Sequence, residues 1–128
     1  MHRNQVVKAL RSEIVYEAIQ SNPIQLFQDT TLRPILKFQH ELILAVYHEY
    51  LITHKINFEH LTSTQRNTKI EQSLKQNQTL QSILKGLILA LFDETEIAFW
   101  MDNKDEINKR IQQLMIKRIQ SAFEQINK

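Results

Sequence analysis

Apolar residues recur every three or four positions along most of this chain, the spacing that places them on one face of an α-helix. The last segment shows this most clearly, with apolar positions at Ile107, Ile111, Leu114, Met115, Ile119, Ala122, Phe123 and Ile126. Almost nowhere do apolar and polar residues alternate as they would in a half-buried strand. The pattern therefore predicts an all-α protein.

Capping residues and breaks in the periodicity divide the chain into six predicted helices. Their expected extents are 2–21, then Thr30 or Thr31 to about His54, Ser63 or Thr64 to Gln76, 78–92, 94–101, and Asp102 or Asn103 onward. Asn77 and Asp93 are the predicted caps of the fourth and fifth helices, and Glu96 completes a capping box with Asp93. Residues 23–29 are predicted to form a connector that packs on the core.

The composition fits one helical domain that spans residues 1–128. One Gly and two Pro among 128 residues leave few positions for tight hairpins. Connections between the predicted helices are short, so neighbouring helices should run antiparallel in a compact bundle. The second and fourth helices are the most apolar, and we expect them to lie centrally beneath the amphipathic first and last helices. The many Gln residues are expected on solvated helix surfaces.

The sequence has no Cys, which excludes disulfides, thiolate metal sites and Cys nucleophiles. Its longest unbroken apolar runs have six residues, whereas a membrane-spanning helix needs about 20. The first residues lack an apolar stretch of signal-peptide length. We therefore expect a cytoplasmic protein without a membrane partner, and its formal net charge of +2 creates no strong field.

Residues 39–54, QHELILAVYHEYLITH, hold two His-Glu pairs that resemble the start of a zinc-protease helix motif. That motif needs a second His four residues after the first, but Leu44 follows His40 and Ile52 follows His48 at this distance. His40 and His48 are about 12 Å apart along a helix, too far to share an ion whose ligands lie about 2 Å away. We therefore predict no metal site within this helix.

A helical wheel explains these polar residues as a solvent-facing seam, which consists of Lys37, Glu41, His48 and Lys55. His40 lies off this seam and is expected to be half-buried. Whether His54 meets His60 across the turn after the helix stays open. A pocket lined by His40, His54 and His60 is therefore the alternative to a purely structural role.

Other catalytic patterns are missing from the sequence. Gly86 is the only Gly, which excludes glycine-rich phosphate-binding loops. The acidic segment 93–106 lacks the spacing of a calcium loop, and the preference of carboxylates for helix N-termini explains it better. The sequence thus favours a non-enzymatic protein, and we assign no catalytic residue, cofactor or metal ligand.

A strip of small side chains in the fourth helix favours a contact with protein. Ser82, Gly86 and Ala90 are spaced four residues apart and so share one face. Small residues let another backbone approach closely, which increases van der Waals contact. The partner is either another helix of this chain or a second subunit.

The fifth helix contains the apolar sequence IAFWM. Ile97, Trp100 and Met101 are expected to share an inward face, which turns Phe99 in another direction. Phe99 then either packs on a neighbouring helix or belongs to an exposed apolar patch of the kind that interfaces use. We include Phe99 and Trp100 among the candidate interface residues.

The last helix carries a group of cations, namely Lys109, Arg110, Lys117 and Arg118. Arg110 and Lys117 are seven residues apart and share a face that could meet phosphates. Aromatic residues that would stack on bases are not interleaved with them. A solvated basic surface is the simpler interpretation, and weak nucleic-acid binding is the alternative.

Three stretches together resemble a group of small bacterial proteins that are sometimes labelled glyoxalase. The stretches are TLRPILKFQHELILAVYHEYL (31–51), LKGLI (84–88) and INKRIQQLMIKRIQS (107–121). The label implies βαβββ modules whose strands supply metal ligands, whereas this sequence has almost no strand signal. The resemblance covers residues 27–123 and implies a grouping, without catalytic residues to carry over.

Two hypotheses about function lead. The first is a non-enzymatic helical interaction or regulatory protein, which could form a homodimer through the fourth and fifth helices. The second is a small enzyme or ligand-binding protein that uses the histidine-lined pocket. Nucleic-acid binding through the last helix is third.

Overall fold

The computed structural model describes residues 22–126, and this part of the chain is helical almost throughout. Its α-helices are α1 (Pro23–Phe27), α2 (Arg33–Phe38), α3 (His40–Thr53), α4 (Ser63–Gln76), α5 (Gln78–Leu89), α6 (Glu94–Asp102) and α7 (Lys104–Ile126). A π-helical segment, Gln28–Leu32, joins α1 to α2, and a 3₁₀ turn, Phe58–His60, precedes α4. Residues 22–126 contain no strand, so the predicted all-α fold is confirmed. The predicted helix over 2–21 lies outside the described residues.

The start of the described chain differs from the prediction. Residues 23–29 are helical and not a connector, because the Asn22 side chain accepts a hydrogen bond from the Gln25 amide and Pro23 occupies the first helical position. Thr30 and Thr31 do not cap a helix. Both are buried inside the π-helical segment, where the Thr30 hydroxyl donates to the Leu26 carbonyl.

The predicted caps further along are confirmed or displaced by one residue. Asn77 accepts a hydrogen bond from the Leu80 amide, and Asp93 forms both bonds of a capping box with Glu96. Helix α4 ends at Gln76 as predicted, but its cap is Thr62, one residue before the expected Ser63. These termini depend on local side-chain chemistry, which is why the sequence locates them well.

Helices α2 and α3 continue each other through a slight irregularity at Gln39. The Gln39 amide donates to the Ile35 carbonyl, and the Ile43 amide donates to the Gln39 carbonyl, each at 2.9 Å. The buried side chain of Gln39 donates to the Leu87 carbonyl at 2.9 Å. This bond fixes the start of α3 beside the end of α5, so the two helices run antiparallel.

Helices α4 and α7 are also antiparallel, and two glutamines of α7 join them. The Gln112 amide donates to the Leu74 carbonyl at 2.9 Å, and the Gln120 amide donates to the Asn67 carbonyl at 3.0 Å. The expectation that glutamines lie on solvated surfaces is therefore wrong for Gln39, Gln112 and Gln120. Their amides satisfy backbone carbonyls between helices, which a wheel of one helix cannot reveal.

The core lies where α2 and α3, α4, α5 and α7 meet. The largest fully buried side chains are Leu32, Ile35, Leu36, Ile43, Tyr47, Ile70, Leu84, Ile88, Phe92, Ile107, Met115 and Ile119. The predicted second helix (now α2 and α3) and fourth helix (now α5) both line this core. Each also exposes large apolar side chains on its other face. No helix within residues 22–126 has the length and apolar content to cross a membrane.

Candidate functional site

Four large apolar side chains are exposed on two adjacent helices. Phe38, Leu42 and Ile52 on α2 and α3 are 54%, 52% and 57% exposed, and Ile83 on α5 is 48% exposed. Their spacing on the first helix places all three on one face. We call the surface formed by these residues, together with the exposed side of α5, the α3–α5 face. Clustered exposure of this kind is typical of interaction surfaces.

The predicted strip of small residues belongs to the same face. Ser82, Gly86 and Ala90 are all exposed. A Cβ atom built on Gly86 would have no neighbouring heavy atom within 4 Å. The prediction that another helix of this chain packs on the strip is therefore wrong for the described residues, because none of their helices approaches the backbone at Gly86. The strip faces outward, where only another molecule or chain segment would use it.

The register of α3 against α5 places protruding and recessed residues side by side. Val46 and Ile83 line a groove between the two helices, and nearer the start of α3 the Gln39 side chain bonds to the Leu87 carbonyl. Between these two points, Leu42 lies about level with Gly86 because the helices are antiparallel. The groove has a volume of about 430 Å³, and Leu42 and Gly86 lie outside it. The face therefore combines an exposed leucine with open space at the glycine of the neighbouring helix.

The aromatic residues of α6 are committed to contacts within the chain. The Phe99 ring lies 4.9 Å from the ring of buried Phe27, so Phe99 packs on a neighbouring helix. The Trp100 indole donates to Asn108 at 2.8 Å, and both residues are half-buried. Met101 is 55% exposed, so its predicted inward position is wrong. Of this group, Met101 offers the most accessible apolar surface.

The predicted histidine pocket does not form as one site. His40 is half-buried, as predicted, and its Nδ1 lies 3.1 Å from the Arg118 guanidinium. His54 is exposed at the other end of α3, where its ring lies 4.2 Å from that of Tyr50 and its Nδ1 contacts the Tyr50 carbonyl at 3.0 Å. His60 is exposed in the 3₁₀ turn. His40 and His54 line separate cavities.

Metal binding by these residues finds no geometric support. Among residues 22–126, no group of three His, Cys, Asp or Glu side chains is placed to hold one ion. The predicted seam is confirmed, since Lys37, Glu41, His48 and Lys55 are all exposed. Of the two His-Glu pairs, Glu41, His48 and Glu49 are thus exposed on the helix surface, and His40 is half-buried.

The buried carboxylates of the acidic segment have structural partners. Asp93 and Glu96 are 8% and 5% exposed and bond to each other's backbone amides at 2.8 Å. The Thr31 hydroxyl donates to Glu96 at 2.8 Å, which joins the start of α6 to the π-helical segment. The interpretation of these carboxylates as helix-terminus residues holds for this pair.

The basic surface predicted on the last helix is interrupted. The Arg110 guanidinium donates to Gln25 at 2.9 Å and to Gln28 at 3.0 Å, and it lies 3.6 Å from Glu106. Arg110 therefore does not form a free phosphate-binding pair with exposed Lys117. A continuous cationic track along α7 is broken at this position.

Comparisons with protein families, curated proteins and solved structures give no match. The grouping with small helical proteins labelled glyoxalase thus stays a prediction. The surfaces of the described residues are the remaining indication of function. Phe38, Leu42, Ile52 and Ile83 belong to no motif, although the helical spacing of the first three is a signal for a second apolar face.

Proposed function

We propose that this protein is a non-enzymatic helical interaction protein that forms a homodimer through the α3–α5 face. The observation that carries the proposal is the open space at Gly86 beside exposed Leu42 and Ile83. Burial of exposed apolar area contributes about 25 cal/mol per Å², so four large side chains supply a substantial driving force.

The shape of the face supports a second copy as the partner. A two-fold symmetric interface brings the same patch of both subunits together, so the patch must complement itself. Leu42 protrudes about level with the hollow at Gly86 on the adjacent helix. A two-fold axis between them would place Leu42 of each copy over Gly86 of the other. The small side chains of Ser82 and Ala90 extend the hollow along α5.

The charges of the face are also compatible with a second copy. The exposed charged residues on α2, α3 and the turn that follows are Arg33, Lys37, Glu41, Glu49 and Lys55. Three cations and two carboxylates give a net charge of only +1, so two copies of the face do not repel each other strongly. The formal net charge of the whole chain is only +2. Long-range repulsion between copies is correspondingly small.

Sedimentation velocity over a concentration series tests the proposal directly. We expect the mass to rise from the monomer value of 15.2 kDa toward twice that value as the concentration increases from about 1 μM to about 1 mM. Gly86→Leu should fill the hollow and prevent the close approach. A Cβ atom added at Gly86 meets no heavy atom within 4 Å in the monomer and the position is exposed, so the fold should be retained.

Moving the large side chain from position 42 to position 86 provides a stricter test. Leu42→Ala and Gly86→Leu should each weaken dimerisation, whereas the double variant should dimerise better than the sum of the two single losses implies. Gln113→Leu, an exposed substitution on α7, serves as a matched control for added apolar area. A mass of 15.2 kDa at all concentrations would contradict the proposal. So would a dimer that Gly86→Leu leaves unchanged.

A further inference from the structure

A second surface, between the α2–α3 helix and α7, gathers positively charged side chains around one groove. The groove has a volume of about 460 Å³. Arg33 and His40 line it from α2 and α3, and their spacing of seven residues places them on one helical face. Leu36, between them, forms part of the apolar floor.

Helix α7 provides the opposite wall. Lys117, Arg118 and Ser121 line the groove from this side. Lys117 and Ser121 are four residues apart, so both side chains are directed to the same side of α7. Leu114 and Ala122 complete the floor. The groove therefore has a polar, cationic rim above a small apolar base.

The hydrogen bonds that surround the groove leave donors available. Arginine only donates hydrogen bonds, so in its 3.1 Å contact with His40 the Arg118 guanidinium donates to Nδ1. The neutral His40 ring then carries its proton on Nε2. Arg33 uses its Nε for an ion pair with Asp29 at 3.2 Å, which leaves its terminal nitrogens for another acceptor. Arg33 is 57% exposed in this pair.

The balance of charge at the groove is positive. Within the described residues, neither Lys117 nor Arg118 forms a salt bridge, and Asp29 is the one carboxylate paired with a cation of the rim. Burial lowers the pKa of Arg118, and the charge of Arg33 lowers it further. Like charges are thus held near each other, and a bound anion would relieve their repulsion.

We propose that this groove binds a small phosphate monoester, whose phosphate lies between Arg33, Lys117 and Arg118 and whose organic part rests on the apolar floor. Arginine forks match the geometry of phosphate oxygens, and the Ser121 hydroxyl and His40 Nε2 add neutral donors. Among the described residues, no Phe, Tyr or Trp lines the groove to provide a platform on which bases could stack. A compact ligand with one doubly charged end therefore fits it better than an extended nucleic acid. The site is independent of the proposed dimer face.

Calorimetric titration with phenyl phosphate tests this assignment, with phenol as the uncharged control. We expect saturable binding of phenyl phosphate and none of phenol. Arg33→Ala and Lys117→Ala should each weaken binding by about tenfold or more, since each removes a charge-assisted hydrogen bond. Both side chains are exposed, so the variants should fold, and circular dichroism checks this.

Lys109→Ala is the matched control for Lys117→Ala. Both residues are exposed lysines of α7, and both substitutions remove one positive charge, but Lys109 does not line the groove. Its loss should change the affinity by less than about twofold, because its charge acts only at long range through solvent. Equal weakening by both substitutions would overturn the assignment. So would the absence of saturation, or tighter binding of a short single-stranded oligonucleotide that depends equally on both lysines.

Discussion

The hydroxyl groups of Tyr47 and Ser73 lie 3.2 Å apart in the core, where α3 packs on α4. Tyr47 is fully buried, and the centroid of its ring lies 6.4 Å from that of Phe58 and 5.7 Å from that of Phe123. The Ser73 hydroxyl donates to the Lys69 carbonyl at 2.7 Å. Because its single hydrogen is used there, Tyr47 is the donor in the pair. This contact is the polar centre of an otherwise apolar layer.

Ionisation of Tyr47 should make the protein less stable at high pH. Burial raises the pKa of Tyr47 to about 12, although the hydrogen bond to Ser73 opposes this effect. In the unfolded chain a tyrosine titrates near pH 10, so the folded state favours the neutral phenol. The stabilisation is complete below about pH 10 and is lost as the pH rises through about 12, with an upper limit of about 3 kcal/mol.

Urea unfolding across this pH range checks the prediction, with Tyr47→Phe as the comparison. The variant lacks the ionisable hydroxyl, so its unfolding free energy should decline less between about pH 10 and about pH 12. An identical decline in both proteins would show that other groups cause it.

Lys55→Gly should stabilise the monomer. Lys55 adopts a φ of 54° immediately after α3, and this left-handed conformation favours glycine. The Ile56 amide donates to the Leu51 carbonyl and the Lys55 amide to the Ile52 carbonyl, which is a Schellman ending. We expect about 1 kcal/mol more stability from removal of the Cβ strain. Thermal unfolding at low protein concentration measures it, and an unchanged or lower midpoint would refute it.

Gly86→Ala should also stabilise the monomer, by about 0.5–1 kcal/mol. Gly86 lies within α5, and the added methyl group meets no heavy atom within 4 Å. The gain comes mainly from the smaller conformational freedom of the unfolded chain. Urea unfolding measures this change at concentrations where the protein is monomeric. A loss of stability there would mean that the space at Gly86 is occupied.

Glu96→Ala should destabilise the fold by about 2 kcal/mol, because it removes a buried carboxylate that accepts charge-assisted hydrogen bonds. These bonds come from the Asp93 amide and the Thr31 hydroxyl. Glu94→Ala is the matched control, since Glu94 lies in the same first turn but is exposed. Denaturant unfolding should separate the two variants, and equal losses would argue against a special role for the buried carboxylate.

The features that depend on neighbouring residues in sequence were predictable. The caps Asn77 and Asp93 and the buried face of α7 follow from hydrogen bonds and periodicity within one helix. The exposure of Leu42 and Ile83 could not be predicted from the sequence. A helical wheel gives the direction of an apolar side chain but does not show whether another helix covers it. Burial at such positions depends on tertiary packing.

The cationic groove shows the same limit for a binding site. His40 was recognised as half-buried, but its partner Arg118 lies 78 residues further along the chain. Arg33 matches no motif in the sequence, where it is a single arginine directly before Pro34. Only the packing of α7 against the α2–α3 helix brings these residues to one groove.

The π-helical segment Gln28–Leu32 has a consequence for comparisons across evolution. Its hydrogen bonds span five residues, as in the bond from the Arg33 amide to the Gln28 carbonyl, so the turn holds one residue more than an α-helical turn. Deleting one residue there would convert the wide turn into an ordinary α-helical turn and leave the residues on either side close to their present phase. Relatives that lack this turn should therefore align with a one-residue gap between Phe27 and Arg33 and still share the core of this protein.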